Sequence, residues 1–407
     1  MSEKRSAATF FVLITVLIDS IGFGIIIPIM PSLIAELGHT DMSGAARIGG
    51  FLFAAYSVMQ FLFSPVVGGL SDQFGRRPIL LASLFGFGLD YVFLTFAPTI
   101  GWLFVGRLIA GVMGASFTTA AAYMADVSTP EKRAQNFGMI GAAFGLGFIV
   151  GPIIGGLASD YGTRVPFMVS GVLTLINWLY GFFVLPESLK LENRRKFNWK
   201  RANPVGALLN LRRFPMLIGL VTALFLVYLS NFSTQGTWSY FTKERFDWTN
   251  KEIGWSLTFI GFMIALVQGG LTRIAIPKLG TKNAIYVGFT FSILGSIAFS
   301  FAYEGWQMYA IMVPFALGGL AGPAMQGIIS TQVPANEQGE LQGSLTSLNS
   351  VAAIIGPIFM TFLFSKFTAK DAPVYFPGAA FMASAILTVI SLMLIINTLK
   401  KNPSHTE

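Results

Sequence analysis

Long apolar segments recur along almost the whole chain, and short stretches rich in charged residues, glycine or proline separate them. A helix that crosses a bilayer needs about 20 mostly apolar residues. The pattern predicts twelve such helices, near residues 8–30, 47–70, 79–98, 101–124, 135–158, 165–185, 214–240, 252–274, 283–302, 307–330, 341–365 and 375–398. No segment is left for a soluble catalytic domain, so we expect an all-α integral membrane protein that is not an enzyme.

Composition supports this interpretation and narrows the chemistry. Hydrophobic residues make up 54% of the chain and charged residues only 11%, whereas a soluble domain has about 25% charged residues. The chain has no cysteine, and its two histidines, His39 and His405, lie in polar segments. Disulfides, thiol chemistry and a metal cluster are therefore not expected, and neither is a bound cofactor.

Basic residues predict the orientation in the membrane. If residue 1 is on the cytoplasmic side, nineteen of the 27 lysines and arginines fall in cytoplasmic segments, seven fall outside, and Arg107 lies within a span. We therefore expect a multi-pass protein of the inner (plasma) membrane. The positive-inside rule predicts that both of its termini are in the cytoplasm. The net charge of +8 is explained by this topology, and a nucleic acid is not an expected partner. The basic central loop either contacts anionic lipid headgroups or is a solvated linker.

The central loop divides the chain into two six-helix halves, 1–187 and 214–407, joined by a linker at 188–213. A shift of 205 residues superimposes glycines of the first half on glycines of the second: Gly75 on Gly280, Gly114 on Gly319, Gly138 on Gly343, and Gly151-Pro152 on Gly356-Pro357. The matches predict a pseudo-repeat around a central cavity, which is the architecture of alternating-access transporters.

One charged turn, "SPVVGGLSDQFGRRPILL", lies between the second and third helices. Its glycines allow a tight turn and close helix approach, and its arginines can bind carboxylates across a gap between helices. With an acid that ends the fourth helix, the set predicts a cytoplasmic gate built from Gly68, Asp72, Gly75, Arg76, Arg77 and Asp126. A simple positively charged anchor accounts for the arginines, but not for Asp72 or the glycine spacing.

This turn resembles the signature of the major facilitator superfamily, except that Gln73 stands where the family usually has a basic residue. The helix-four segment "GRLIAGVMGASFTTAAAYMADVSTPEKR" is similar to that family as well. So is "GLGFIVGPIIGG" in helix five, which matches the family's antiporter motif at Gly147, Gly151, Pro152, Gly155 and Gly156. The resemblance implies a transporter, and the last motif favours an antiporter over a facilitator or symporter for a sugar or other small metabolite.

Two acids lie deep in predicted spans, Asp19 and Asp90. An ionisable residue at this depth is costly and marks a functional site. We predict that both couple transport to protons, with Arg107 as their cation. Arg107 is expected beside Asp19, leaving Asp90 without a cation and making Asp90 the proton carrier. The alternative is that neighbouring helices satisfy each carboxyl permanently.

The resemblance is strongest to tetracycline/proton antiporters, through "IDSIGFGIIIPIMP", "GLDY" and "QGELQGSLTSLNSVAAIIGP". It implies a small-molecule substrate, a proton as the exchanged ion, and a divalent cation that enters only as part of a tetracycline chelate. Ile264 and Ser292 stand where that family has a histidine and an aspartate, so the specificity is open.

We expect the protein to act as a monomer in the bilayer. Polar and aromatic residues within spans are the candidates for the substrate cavity: Tyr56, Gln60, Asn177, Asn231, Gln235, Trp238, Gln268 and Gln326. Each is equally well explained as a hydrogen bond between helices.

Overall fold

The computed structural model describes residues 2–114, 116–199, 203, 206, 217–334 and 337–401, and these residues form helices without a strand. Twelve helices in the described part are long and apolar enough to cross a membrane, which confirms the predicted number. They are α1 (Ser2–Ile26), α2 (Met42–Phe74), α3 (Arg76–Thr95), α4 (Ile100–Val127), α5 (Pro130–Ser159), α6 (Val165–Val184), α7 (Ile218–Phe246), α8 (Asn250–Leu279), α9 (Thr281–Phe301), α10 (Gly305–Thr331), α11 (Gln338–Thr368) and α12 (Ala379–Lys401).

The first helix ends earlier than hydropathy alone predicts. α1 stops at Ile26, ahead of Pro28, and a separate short helix covers Met30–Gly38. Proline has no N–H to donate and disfavours helical backbone in the residue before it. His39 closes the short helix in a left-handed conformation.

Two spans of the second half contain local irregularities. α8 widens into a π-helical turn over Val267–Leu271, and α10 tightens into a 3₁₀ turn over Leu317–Leu320. Both turns contain a pair of glycines, and Pro314 precedes the turn in α10. Such irregular turns within a helix are frequent at functional sites.

The chain forms two compact units. The first contains residues 1–39, 55–204 and 249–258, and the second contains residues 40–54, 205–248 and 259–407. The break at 204/205 falls in the predicted linker, of which residues 200–202, 204, 205 and 207–213 lie outside the described part. The domain boundaries that we assigned from sequence stay a prediction.

The pseudo-repeat is visible in the backbone. Gly75 has φ 105° and ψ 159°, and Gly280, 205 residues later, has φ 77° and ψ 153°. Each glycine immediately precedes a spanning helix, α3 in one case and α9 in the other. Only glycine adopts this region readily, so both halves use the same turn to reverse the chain.

Candidate functional site: buried charges of the first unit

An ion pair lies in the interior of the first unit. Arg107 Nη2 on α4 is 3.3 Å from Asp90 Oδ2 on α3, and their side chains are 8% and 0% exposed. A glycine makes room for the carboxylate, because a Cβ at Gly106 would lie 2.9 Å from Asp90 Oδ1. Removing one member of a buried pair leaves an uncompensated charge, so this pair is a strongly constrained feature of the fold.

The pairing corrects our expectation that Arg107 lies beside Asp19 and that Asp90 has no cation. α3 begins at Arg76, so Asp90 lies about 21 Å along its axis, and Arg107 lies about 10 Å into α4 from the opposite end. In a core about 30 Å thick these depths coincide. The hairpin connection of α3 and α4 was the sequence signal that indicates this pair.

Asp19 occupies a different environment on α1. Its Oδ1 atom is buried and has no hydrogen-bond partner among the described residues. Tyr56 and Tyr91 are within electrostatic range of Asp19 and also of the Asp90–Arg107 pair. The first unit therefore contains one paired and one unpaired acid near the same two tyrosines.

Polar groups of α2 border this cluster. Gln60 Nε2 donates to Tyr56 Oη at 3.3 Å and to the Gly114 carbonyl at 3.4 Å, and both side chains are half-buried. A Cβ at Gly111 would lie 2.7 Å from Met59 Cβ, so glycine allows α4 to approach α2 closely. The structure thus brings two of the predicted cavity residues together beside the acids.

Three of the predicted gate residues meet at the end of α2. Arg76 Nη1 is 2.6 Å from Asp72 Oδ1, and Arg76 Nε is 3.2 Å from Asp126 Oδ2. Arg76 also donates to Ser71 Oγ at 2.6 Å. The side chain of Arg76 is only 11% exposed, so one guanidinium joins α2, α3 and α4.

Sequence analysis missed a third acid of this cluster, Glu187, just beyond α6. Its carboxylate accepts the backbone N–H groups of Arg76 at 2.9 Å and Arg77 at 3.3 Å. These are orphan donors at the start of α3, where a negative charge is stabilised. Arg77 donates to the Phe182 carbonyl at 2.7 Å. The first turn of α3 is thereby fixed to the end of α6.

The first residues of the linker pack against the end of α2. The Arg195 N–H donates to the Asp72 carbonyl at 3.0 Å, and the Phe197 N–H donates to Gln73 Oε1 at 2.9 Å. Gly69 is in contact with the Phe197 ring, since a Cβ there would lie 2.8 Å from Phe197 Cδ2. Gln73, the departure from the family pattern, is thus an acceptor for the linker.

The antiporter-motif glycines form a packing surface on α5. Cβ atoms at Gly147 and Gly151 would lie 2.9 and 2.7 Å from the backbone of Ile21 on α1, and Gly155 meets α1 one turn further on. Gly156 faces the segment at Asn250, which belongs to the same unit, and Pro152 lies against Gly24. Close approach of backbones is what small residues provide in membranes.

Four of the predicted cavity residues in the second unit are exposed, and they lie on α7, α8 and α10. Asn231 and Gln235 are exposed on one face of α7, and Gln268 is exposed in the π turn of α8. Gln326 Nε2 donates to Gln342 Oε1 on α11 at 2.8 Å. Exposed polar groups within spans face water or substrate more readily than lipid. Thr346 and Asn349 of α11 are exposed as well, and sequence analysis did not select them.

Two predicted cavity residues lie in packed interior. Trp238 is 3% exposed and makes edge contacts with Phe299 and Phe381. Asn177 is 2% exposed, on the buried face of α6. Large apolar surface favours Trp238 in the aromatic core, so we remove both residues from the proposed cavity.

Buried ionisable residues within membrane spans mark substrate and ion pathways, and together with twelve spans they indicate a transporter. Residues 12–322 match the model of the Major Facilitator Superfamily. The chain is 37% identical over 389 residues to the class C tetracycline resistance protein of Escherichia coli, covering 96% of both chains. It is 35% identical to the class D tetracycline resistance protein of Salmonella ordonez, covering 90% of this chain and 92% of that one.

A solved structure agrees with the fold. The bacterial homologue of the human lysosomal transporter Spinster, in an inward-facing and unoccupied conformation, has a TM-score of 0.81 at 15% identity and covers 100% of this chain and 99% of that one. The chain belongs to the Major Facilitator Superfamily, among its drug/proton antiporters, and is a multi-pass inner-membrane protein.

Proposed function

We propose that this protein exports tetracycline-type antibiotics in exchange for protons and that Asp19 is the acid that takes up the proton. The observation that supports this most directly is that Asp90 has a cation, Arg107 at 3.3 Å, whereas no cation pairs with Asp19 among the described residues, where its buried Oδ1 also lacks a hydrogen-bond partner. This revises our assignment of Asp90 as the carrier, because that assignment rested on Asp90 having no cation.

We assign different roles to Asp90 and Asp19. Arg107 gives Asp90 a buried counter-charge at 3.3 Å, so Asp90 has its ion-pair partner within the protein. Asp19 has no such cation in the described part of the chain, and we propose that it alternates between a neutral and a charged state as each side of the membrane gains access to it. A charged Asp19 attracts a cationic substrate group, and protonation releases it.

The substrate follows from the relatives' printed function, tetracycline resistance. A tetracycline enters such a site as a chelate with a divalent cation, which is cargo and not a resident metal. Ser292 and Ile264 supply neither the acid nor the histidine of that family, and Ser292 lies next to Gly318 of α10. We therefore propose weaker or broader recognition of tetracycline than in that family.

Inside-out membrane vesicles test this function. Tetracycline should accumulate when respiration acidifies the vesicle interior, and accumulation should collapse when the pH gradient is removed. Asp19→Asn should abolish accumulation, while the exposed-acid control Glu192→Gln, 71% exposed, should match the parent. Transport that ignores the pH gradient would instead support a facilitator.

The Arg76 network is proposed to hold the cytoplasmic face closed. Asp72→Asn should slow export while leaving the helices folded, because Arg76 keeps its bonds to Asp126 and Ser71. Normal export by this variant, measured in the same vesicles, would contradict the gate.

We also propose cytoplasmic termini and a monomeric transporter. The absence of native cysteine makes single-cysteine labelling a clean test of orientation. A cysteine at Lys132 should react with a membrane-impermeant reagent only in inside-out vesicles, and one at Arg164 only in intact cells. Light scattering of the purified protein in detergent, corrected for the micelle, checks the oligomeric state.

A further inference from the structure

The first helix has two distinct packing faces. Leu17, Ile21 and Gly24 lie against the glycines of α5. Phe11, Thr15, Asp19 and Gly22 are spaced four, four and three residues apart, so they share another face. This second face meets α3 and α6, since Gly22 contacts the Tyr91 ring and Phe11 contacts Gly181.

The same contacts fix the register between α1 and α6. Phe11 lies level with Gly181, and Tyr91 bridges the level of Gly22 to that of Gly171. The helices are antiparallel, so four residues from Phe11 and from Gly181, about 6 Å at 1.5 Å per residue, put Thr15 level with Asn177. One further turn puts Asp19 level with Thr174.

Every side chain at these two levels has a buried polar atom that lacks a hydrogen-bond partner in the described part of the chain. The atoms are Thr15 Oγ1, Asp19 Oδ1, Thr174 Oγ1, Asn177 Nδ2 and Asn177 Oδ1. Thr15, Thr174 and Asn177 are 3%, 1% and 2% exposed. Buried polar groups in proteins are nearly always satisfied by protein or by ordered water, and here the described residues supply no partner.

We propose that the interface of α1 and α6, which we call the polar seam (Thr15, Asp19, Thr174 and Asn177), binds water and conducts the proton of Asp19 toward the end of the bundle where α1 begins. This proposal rests on the proposed role of Asp19. A buried water needs two to four polar partners, and the two levels supply five atoms.

The proton balance is simple. The Asp19 carboxyl gives its proton to a seam water and becomes a carboxylate, and the water hands an equivalent proton to the next water at the level of Asn177. No bond other than O–H is made or broken.

The seam ends where Phe11 contacts Gly181 and Tyr180. Charged and titratable groups on the neighbouring helices are Asp90 and Tyr91 of α3, Arg107 of α4 and Tyr56 of α2.

The seam lies on the buried face of α6. Met168, Val172, Ile176 and Leu179 form its exposed face, which is entirely apolar. The unpartnered polar atoms of α6 therefore lie on the side that packs against α1.

The test uses the purified full chain in proteoliposomes, with Thr174→Val and Asn177→Leu as near-isosteric variants. Replacing unpartnered polar atoms by apolar ones does not leave a new unpaired group, so both variants should fold. After a pH jump without drug, the infrared band of the protonated Asp19 carboxyl should respond about a hundredfold more slowly than in the parent. Tetracycline Kd should be unchanged.

Two controls make the result specific. Ser170→Ala lies one turn from Thr174 and removes a hydroxyl that already donates to the Pro166 carbonyl at 3.0 Å, so it should respond like the parent. Thr174→Ser keeps the hydroxyl and should respond at the parental rate. A parental rate in both Thr174→Val and Asn177→Leu overturns the seam.

Failure of the seam is distinguishable from failure of Asp19 as the carrier. If Asp19→Asn removes the infrared band and abolishes exchange while the seam variants are normal, only the seam is wrong. If Asp19→Asn leaves the infrared bands of the parent unchanged, the proton-carrier role of Asp19 is wrong. The proposed function of the polar seam is then wrong as well.

Discussion

The α3–α4 hairpin of the first half and the α9–α10 hairpin of the second begin with the same glycine turn but differ in their interiors. Where the first has Asp90 and Arg107, the 205-residue offset places Gly295 and Met312 in the second. Gly295 packs on the Phe315 ring, and Met312 is fully buried. The α9–α10 hairpin therefore folds without a buried ion pair. This indicates that the ion pair of the α3–α4 hairpin serves transport and is not required by the fold.

The same difference holds at the ends of the hairpins. Asp72, Arg76 and Asp126 form the ionic network of the first half. Their counterparts at the same offset, Pro277, Thr281 and Thr331, carry no charge. Two copies of one scaffold have thus diverged, with the charges concentrated in one of them.

Giving the first hairpin the residue of the second should have the largest effect. Arg107→Met leaves Asp90 buried without its cation, and we expect a loss of about 3–5 kcal/mol in the free energy of unfolding. Thermal unfolding in detergent measures this. The control Met312→Leu conserves volume in the second hairpin and should cost less than about 1.5 kcal/mol.

The double variant Asp90→Leu/Arg107→Met separates folding from function. Replacing both members of a buried pair is often neutral, so stability should return to near the parental value, while drug affinity should be weaker than in the parent. Parental drug affinity in the double variant would show that the pair is only structural.

Arg76→Thr should have the next largest effect, since it converts the ionic network into its uncharged counterpart. The change removes a charge-assisted bond to Asp126, which is 24% exposed, and we expect this loss to cost about 1.5–3 kcal/mol. The bond to Asp72, which is 42% exposed, adds about 0–1 kcal/mol. Unfolding in detergent should show this loss, whereas Thr281→Val should be close to neutral. Equal losses in both would remove the contrast between the halves.

Alanine at the two turn glycines should give unequal effects. Gly75 and Gly280 share a backbone region that costs a residue with a Cβ about 1–3 kcal/mol. At Gly75 the added Cβ also meets Arg194 Nη2 at 2.8 Å, whereas Gly280 has open space. Gly75→Ala should therefore lower the melting temperature more than Gly280→Ala, and the reverse order would refute the packing argument.

The smallest expected effect concerns the linker. Gln73→Lys removes the acceptor of the Phe197 N–H, a bond of about 1 kcal/mol, and restores the basic residue usual in the family. Limited proteolysis should then cut near Trp199 faster. Gln73→Glu keeps an acceptor and is the matched control.

Sequence reasoning predicted the spans well because hydropathy and length decide which helices cross a bilayer. It predicted α1 as one segment to residue 30 because the apolar run continues through Pro28. The helix ends earlier, at Ile26, because proline disfavours helical backbone in the residue before it. It placed Arg107 against the wrong acid because depth along a helix axis says nothing about which neighbour a side chain faces. Glu187 escaped notice because its role depends on a loop folding back onto the start of α3.

Substrate-induced proton release by the purified protein tests the central claim most directly. Addition of magnesium–tetracycline to the parent in weakly buffered detergent should release protons, and Asp19→Asn should release none at an unchanged protein concentration. Asp90→Asn frees Arg107, so it should still release protons but with weaker drug affinity. Proton release by Asp19→Asn equal to that of the parent would contradict the assignment of Asp19 as the proton carrier.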